Sequence, residues 1–356
     1  ALLTQLKELN KESTLCVTGT VRERASKNPK LPTGDIEVVP EAVEVLGRCR
    51  HNELPFEINR SREADETQRL KYRYLDLRNP AVKEHLFDAV RGWVRDYDID
   101  GLRLDVAYCL DLDFLAELRG LGNSIKPEFA LMGETLHGDY NRWMNDRACH
   151  AVTNYECYKG LYSSFNSANM HEIAYSLNRQ FGSEQWCLYT GRHLLSFLDN
   201  HDVSRIATVL TDKAMLRPAY GLLFGMPGVP AVYYGSEWGA RGRKEEGDRA
   251  LRPCFAQPEW NGLTDWIARL AEVKRAERAL NWGAFRSVVL TNRQCIFERR
   301  CGEECVWVAV NADEQPYWAA FDAPGARAAD LLSGREVVPS GGMELPPYSA
   351  AFWKWQ

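Results

Sequence analysis

The most constraining feature of this chain is a recurrence. Short apolar runs appear at IDGLRLDVAY (99–108), PEFALMGET (127–135), HAVTNYE (150–156), LLSFLDNHD (194–202) and GVPAVYYG (228–235), with helical segments between them. Each run is too short for a globular helix and is rich in β-formers, so each is expected to be a buried strand. Strands of this kind at intervals of roughly 20–45 residues are the mark of parallel βα units, because a parallel pair needs a crossover of that length. The class expected is therefore α/β. The segment before the first run agrees. AVKEHLFDAVRGWVRDYD (81–98) places Val82, Leu86, Ala89, Val90, Trp93, Val94 and Tyr97 on one face of a helix.

The flanks read differently. Residues 1–60 are β-like and rich in turns: STLCVTGTVRER (13–24) alternates with period two, IEVVPEAVEVLGR (36–48) offers two short strand-like runs, and NPKLPTGD (28–35) is turn chemistry between them. NRSREADETQRLKYR (59–73) reads as a charged linker or exposed helix. Beyond Trp282 the text returns to short alternating strands and predicts an antiparallel β domain. The expected divisions are 1–58, 59–80 as linker and junction, 81–281, and 282–356.

Composition excludes little, but it excludes it cleanly. A net charge of −5 on 356 residues gives no global field for nucleic acid or an anionic membrane. No run of 18 apolar residues exists, so no membrane span is expected. ALLTQLKELNK shows no signal-peptide pattern, and a chain opening on Ala1 is expected to lack its true N-terminus. Ten scattered cysteines without a CxxC pair read as small buried hydrophobes in a reducing cytoplasm, with no metal site.

The chemistry collects where four of the runs end, which is where parallel barrels hold their reactive groups. GLRLDVAYC supplies Arg103 and Asp105, LMGE supplies Glu134, SFLDNHD supplies Asn200, His201 and Asp202, and PAVYYGSEWG supplies Tyr233, Tyr234 and Glu237. Singly, these are ordinary: a strand-end Asp usually caps a helix, and NHD is commonly a turn. Jointly, three carboxylates and an arginine at one mouth suit acetal chemistry. A retaining glycosidase needs one carboxylate to attack C1 and a second carboxyl, about 5–5.5 Å away, to protonate the leaving oxygen. Arg103 and Asp105 are two residues apart and should share a strand face.

These segments, in this order, resemble the α-amylase family of glycoside hydrolases over about 75–356. The resemblance implies Asp105 as nucleophile, Glu134 as acid/base, Asp202 as transition-state stabiliser, and Arg103 and His201 as sugar contacts. It also implies an α-1,4-glucan or maltooligosaccharide substrate. Tyr108-Cys109 stands where many α-amylases carry Lys-His, which is closer to the cyclomaltodextrinase and maltodextrin-glucosidase side. The family's first motif, Asp-x-x-x-Asn-His, has no counterpart before residue 99. The fold expected is thus strands four to eight of a (β/α)8 TIM barrel followed by an antiparallel β-sandwich. The inserted domain with its calcium site has no counterpart, so no cofactor is expected.

LKELNKES, VTGTVRER, NPKLPTGDIEV, EVLGR, LPFEIN and RLKYRYLDLRNP, within residues 5–80, resemble instead the N-terminal region of bacterial-type aspartyl-tRNA synthetases. That resemblance implies a truncated OB-fold-like β segment. Its 14 Lys and Arg against 13 Asp and Glu in residues 1–80 make nucleic acid an unlikely partner. Both resemblances claim YLDLRNP (74–80), so a chimeric joint is expected there. Three functions compete: a retaining α-glucan hydrolase, a sugar-binding remnant without turnover, and a tRNA-binding module. An incomplete barrel is expected to be impaired, poorly stable and open to self-association through its strand edges.

Overall fold

The computed structural model describes residues 2–10, 13–29, 31–49 and 54–356. They divide into two compact units, 1–86 and 87–356.

The first unit opens with helix α1 (Leu2–Lys7) and a long antiparallel hairpin, β1 (Thr14–Glu23) with β2 (Ile36–Gly47). The two strand-like runs expected in 36–48 are one strand. Pro40 interrupts the pattern in sequence without ending the strand. It pairs with Gly19 beside a register shift that leaves Glu41 unopposed, and a bulge is where a strand accommodates a residue lacking an N–H. Gly19 is required there, since a Cβ on it would lie 2.0 Å from the Val39 carbonyl oxygen. Val17, Val21, Val38 and Leu46 remain exposed on the hairpin. Two short helices follow, α2 (Glu66–Lys71), capped by Asp65 accepting from the Thr67 N–H at 2.9 Å, and α3 (Arg73–Asp76). Helix α4 (Pro80–Tyr97) then spans the division between the units.

In the second unit the parallel strands are β3 (Gly101–Leu104), β4 (Ala130–Gly133), β5 (Ala151–Val152), β6 (Leu195–Phe197) and β7 (Val229–Ala231). β3, β4 and β5 pair in parallel, as do β6 and β7. A parallel bridge between Thr153 and Leu195 joins the two groups. The result is an arc of five neighbouring strands in chain order. The helices between them are α5 (Leu112–Ile125), α6 (Tyr155–Asn166), α7 (Met170–Phe181), α8 (Ile206–Val209) and α9 (Leu216–Gly225). The strand expected over HAVTNYE is short because the Asn154 side chain accepts the Cys157 N–H at 3.2 Å and starts α6. An N-cap stops a strand where propensity alone would extend it.

After β7 come α10 (Asp248–Leu251), α11 (Gly262–Ala276) and α12 (Arg278–Trp282). The antiparallel strands follow: β8 (Ala284–Leu290), β9 (Gln294–Cys301), β10 (Glu304–Asn311), β11 (Tyr317–Ala320), β12 (Ala328–Asp330), β13 (Glu336–Val337), β14 (Gly342–Leu345) and β15 (Ser349–Trp355). Six form one sheet in the order β13-β12-β15-β10-β9-β8, and β11 pairs with β14. Period-two alternation in β10 explains its place. Val306, Val308 and Val310 join the core shared with the parallel arc, while Cys305, Trp307 and Ala309 join a second core with Ala319, Leu345 and Trp353. Helix α9 is buried almost throughout, and its glycines let the sheet approach. A Cβ on Gly221 would meet that of Ala350 at 2.4 Å.

Candidate active site

Arg103 lies in β3, Asp105 immediately after it, and Glu134 immediately after the neighbouring β4. Register does the placing, because parallel pairing sets Leu104 beside Gly133 and brings both strand ends to one rim. The Arg103 guanidinium holds both carboxylates: Nη1 binds Asp105 Oδ1, and Nη2 lies 3.1 Å from Glu134 Oε1. The two acids differ in surroundings. The Asp105 side chain is 72% exposed and that of Glu134 only 8%.

Backbone geometry fixes Glu134 further. Val106 adopts φ of 47°, a left-handed conformation costly for a β-branched residue. The turn points the Val106 N–H at Glu134 Oε2 (3.0 Å), and the next N–H, of Ala107, at the Glu134 carbonyl (2.9 Å). The nucleophile candidate and the acid candidate are thus tied by one side chain and one strained loop. Strain of this kind is commonly held at functional sites. Beside them, burial raises the Tyr108 phenol, and the negative charge of Cys109, Glu134 and Asp105 adds to the effect.

Asp202 and His201 follow β6 and form a second group. Asp202 lies 3.1 Å from His201 Nε2 and accepts from Arg252 Nη2 at 2.8 Å. Asn200 turns the loop by accepting the Asp202 N–H at 2.8 Å, and donates to the Tyr155 hydroxyl at 2.9 Å. Tyr155 links the groups electrostatically. Burial raises its phenol; the Asn200 hydrogen bond opposes this, and the charges of Glu134 and Asp202 reinforce it. Among the described residues no hydrogen bond or ion pair joins Asp202 to Asp105 or Glu134 directly.

A buried layer supports this mouth. Asp199 accepts the Ile206 N–H at 2.7 Å and the Ser236 hydroxyl at 2.8 Å, and burial pushes its carboxyl up to about 6. Arg205, fully buried, donates to the Tyr234 carbonyl, to Ser236 Oγ (3.0 Å) and to the Leu251 carbonyl (2.8 Å). Its guanidinium lies 4.2 Å from the centre of the Tyr233 ring. One residue beyond Leu251, Arg252 reaches Asp202. Of the residues expected from the sequence, the structure groups Arg103 with Asp105 and Glu134, and His201 with Asp202; the neighbours Tyr155, Asp199, Arg205 and Arg252 were not among those expected. Asp199 stood inside FLDNHD, where its distance of three residues from Asp202 was a usable signal; Arg205 and Arg252 carried none. Tyr233 lies under Arg205. Glu237 keeps one buried carboxylate oxygen without a hydrogen-bond partner among the described residues. No group of three or more His, Cys, Asp or Glu side chains among the described residues is placed to hold a metal ion.

Residues 66–273, more than half of the chain, match the alpha-amylase catalytic domain. The chain belongs to the alpha-amylase family. It is 27% identical over 286 residues to a cyclomaltodextrinase of Geobacillus thermopakistaniensis (strain MAS1), covering 77% of this chain and 48% of that protein. It is 30% identical over 281 residues to neopullulanase 2 of Thermoactinomyces vulgaris, covering 76% and 47%. The chain therefore spans about half the length of the curated relatives it matches. The crystal structure of an Anoxybacillus alpha-amylase aligns with TM-score 0.67 at 24% identity, over 78% of this chain and 63% of that one, and establishes likeness of fold. Among the described residues no helix is long and apolar enough to cross a membrane.

Proposed function

We propose that this chain carries the catalytic half of a retaining glycoside hydrolase acting on α-1,4-linked glucans or maltodextrins. The observation that supports this best is the single Arg103 guanidinium bridging Asp105 and Glu134 at adjacent parallel strand ends. In this reading β3 to β7 take the places of strands four to eight of a (β/α)8 barrel, over 81–281, with 282–356 as a sandwich domain. Residues 1–58 are an OB-like fragment and 59–80 its joint.

Asp105, the open carboxylate, attacks C1 of the bound sugar. The C1–O bond to the leaving glucose breaks as Glu134 gives its proton to that oxygen. Glu134 then takes a proton from water, whose oxygen displaces Asp105. Its Oε2 accepts the Val106 N–H, and Oε1 lies within ion-pair distance of Arg103 Nη2, so its orientation is held through both steps. Asp202, held by Arg252, faces the positive charge that develops at the anomeric carbon, and His201 contacts the sugar. Relatives named cyclomaltodextrinase and maltogenic alpha-amylase support the substrate class. Ten free cysteines and relatives named intracellular maltogenic amylase support a cytoplasmic setting. No cofactor enters these steps.

A second reading, sugar binding with little turnover, draws on the exposure of Asp105. Water around the nucleophile weakens the electrostatics that catalysis uses. Reducing-sugar release from maltoheptaose by the purified chain separates the two. Release that depends on Asp105 supports hydrolysis. Saturable maltoheptaose binding without release supports the second reading.

A further inference from the structure

We propose that the first unit contains a binding site for a phosphate monoester, in a cavity walled by Arg62, Arg69, Arg73 and His85. The cavity has a volume of about 450 Å³, and its remaining walls are Ala81, Val82 and Leu86. It shares no lining residue with the glycosidic site, and nothing in the proposed hydrolysis uses it.

Charge is the first observation. No acidic side chain lines the cavity, while three guanidiniums and an imidazole do. Arg69 and Arg73 share one acid, Asp76, which is fully buried and accepts from Arg69 Nε (3.3 Å), Arg69 Nη2 (3.2 Å) and Arg73 Nη1. A single carboxylate thus serves two of the three guanidiniums that line the cavity. Arg62 and His85 make no ion pair among the described residues.

Preorganisation is the second observation. Asp76 clamps Arg69 and Arg73, so their side-chain freedom is already lost before any ligand arrives. Each guanidinium has five N–H donors. Asp76 uses two of those on Arg69 and one of those on Arg73, leaving further donors on both. Planar guanidiniums match the oxygens of a phosphate better than ammonium groups do, and all three cations here are arginine.

The apolar wall narrows the ligand class. Ala81, Val82 and Leu86 all lie in the first two turns of α4 and form one side of the cavity. An inorganic anion would leave that wall unused, whereas a phosphate carried on a flat or apolar body would cover it. Small-molecule sites of about this size commonly pair an apolar wall with a few charged groups. A purely structural role for Arg69 and Arg73, as partners of Asp76, accounts for neither Arg62 nor His85 facing the same space.

The test uses the whole chain, with phenyl phosphate titrated by calorimetry and inorganic phosphate as comparison. A second arm uses a short 5′-phosphorylated oligonucleotide and its dephosphorylated twin. Phenyl phosphate should bind more tightly than inorganic phosphate, and Arg62→Gln should weaken it by about tenfold or more. Arg62→Gln leaves the Asp76 pairs intact, so the thermal midpoint without ligand should not move. Binding of the oligonucleotide that requires its terminal phosphate, and is lost in Arg62→Gln, supports the site and places its ligand on a nucleic-acid end. Absence of saturable phosphate-dependent binding in both arms overturns the proposal, as do affinities unchanged in Arg62→Gln.

Discussion

The parallel arc and the antiparallel C-terminal sheet bury their strands to very different depths, and place in the sheet accounts for most of the difference. In the antiparallel sheet, β9 and β10 lie inside and are buried along nearly their whole length, with a core on each face. In the arc, β4, β5 and β6 are largely buried, whereas the outer strands β3 and β7 are half-wetted. The candidate site straddles that gradient. Asp105 follows an outer strand and is open to water; Glu134 follows an inner one and is covered. Two carboxylates held by one arginine thus differ in environment in step with sheet position, and acid/nucleophile pairs depend on such differences.

The largest effect that could break this comparison is on chemistry. Asp105→Asn should remove glycosidic activity by on the order of 10⁴-fold, since a neutral amide cannot form the glycosyl intermediate. Glu134→Gln should cost about 10²–10⁴-fold, the usual contribution of a general acid. Both are read as initial rates on maltoheptaose. Near-parental rates in Asp105→Asn would show that the open carboxylate is not the nucleophile.

Next in size is stability. Trp307 is buried between Phe321 and Trp355, with ring centres 5.2 Å from each, and donates to Glu298 Oε2 at 3.0 Å. Trp307→Ala should cost about 3–5 kcal/mol in urea unfolding. Val229 on β7 is 42% exposed, so Val229→Ala should cost less than about 1 kcal/mol. Equal costs would mean that the outer strand is as fully packed as the inner ones.

The two regions also carry buried carboxylates of opposite pH behaviour. Glu298 is held at about 2, below its ordinary 4.5: burial alone would raise it, but donation from Arg300, Trp307, Arg286 and Cys305 outweighs that. Its folded form binds fewer protons than the unfolded chain, so its stabilisation is present above about 4.5 and is lost as pH falls toward 2. Asp199, raised to about 6 by burial, behaves the other way: its contribution is full below 3.8 and is lost as pH rises through about 6. Each is worth on the order of 3 kcal/mol. Unfolding midpoints measured from pH 2.5 to 7 should show a shallower acid-side slope in Glu298→Gln and a changed slope between about 4 and 6 in Asp199→Asn. Profiles that keep both slopes in both variants would remove these carboxyls from the account.

How much of this was legible in the sequence follows from the kind of information each part needs. Arg103, Asp105, Glu134 and Asp202 could be read because strand-end positions in parallel units are local text, and GLRLD, LMGE and FLDNHD spell it. Tyr155 could not be read, because its role depends on Asn154 ending β5 early and turning the next residue into the first of a helix. Arg205 and Arg252 were illegible for another reason: their partners are the Tyr234 and Leu251 carbonyls and Asp202, contacts of the folded state without a spacing rule. In the first unit, Pro40 suggested two strands, but a bulge at Glu41, beside the Gly19–Pro40 pair, let one strand continue.

The smallest expected effect concerns the outer strands themselves. Among the described residues no strand pairs with the outer side of β3 or of β7. Open edges of parallel sheets present unpaired backbone groups that invite other chains. The two edges are unequal. On β7 the Val229 N–H is used inward, donating to the Leu194 carbonyl at 2.8 Å. Alternation along a strand directs the next N–H outward, and that residue is Pro230, which has none. Proline there blunts the edge where a donor would otherwise stand. Pro230→Val restores the donor and a β-former with little change in packing, because the strand end is already partly exposed. Stability should change by no more than about 0.5 kcal/mol, the ordinary range for surface positions. Self-association should nevertheless rise, read by sedimentation velocity as a lower monomer fraction at equal concentration. Leu102→Lys on β3 should act in the opposite sense by placing a charge beside the other edge. A monomer fraction unchanged by Pro230→Val would show that this edge is closed by something other than the missing donor.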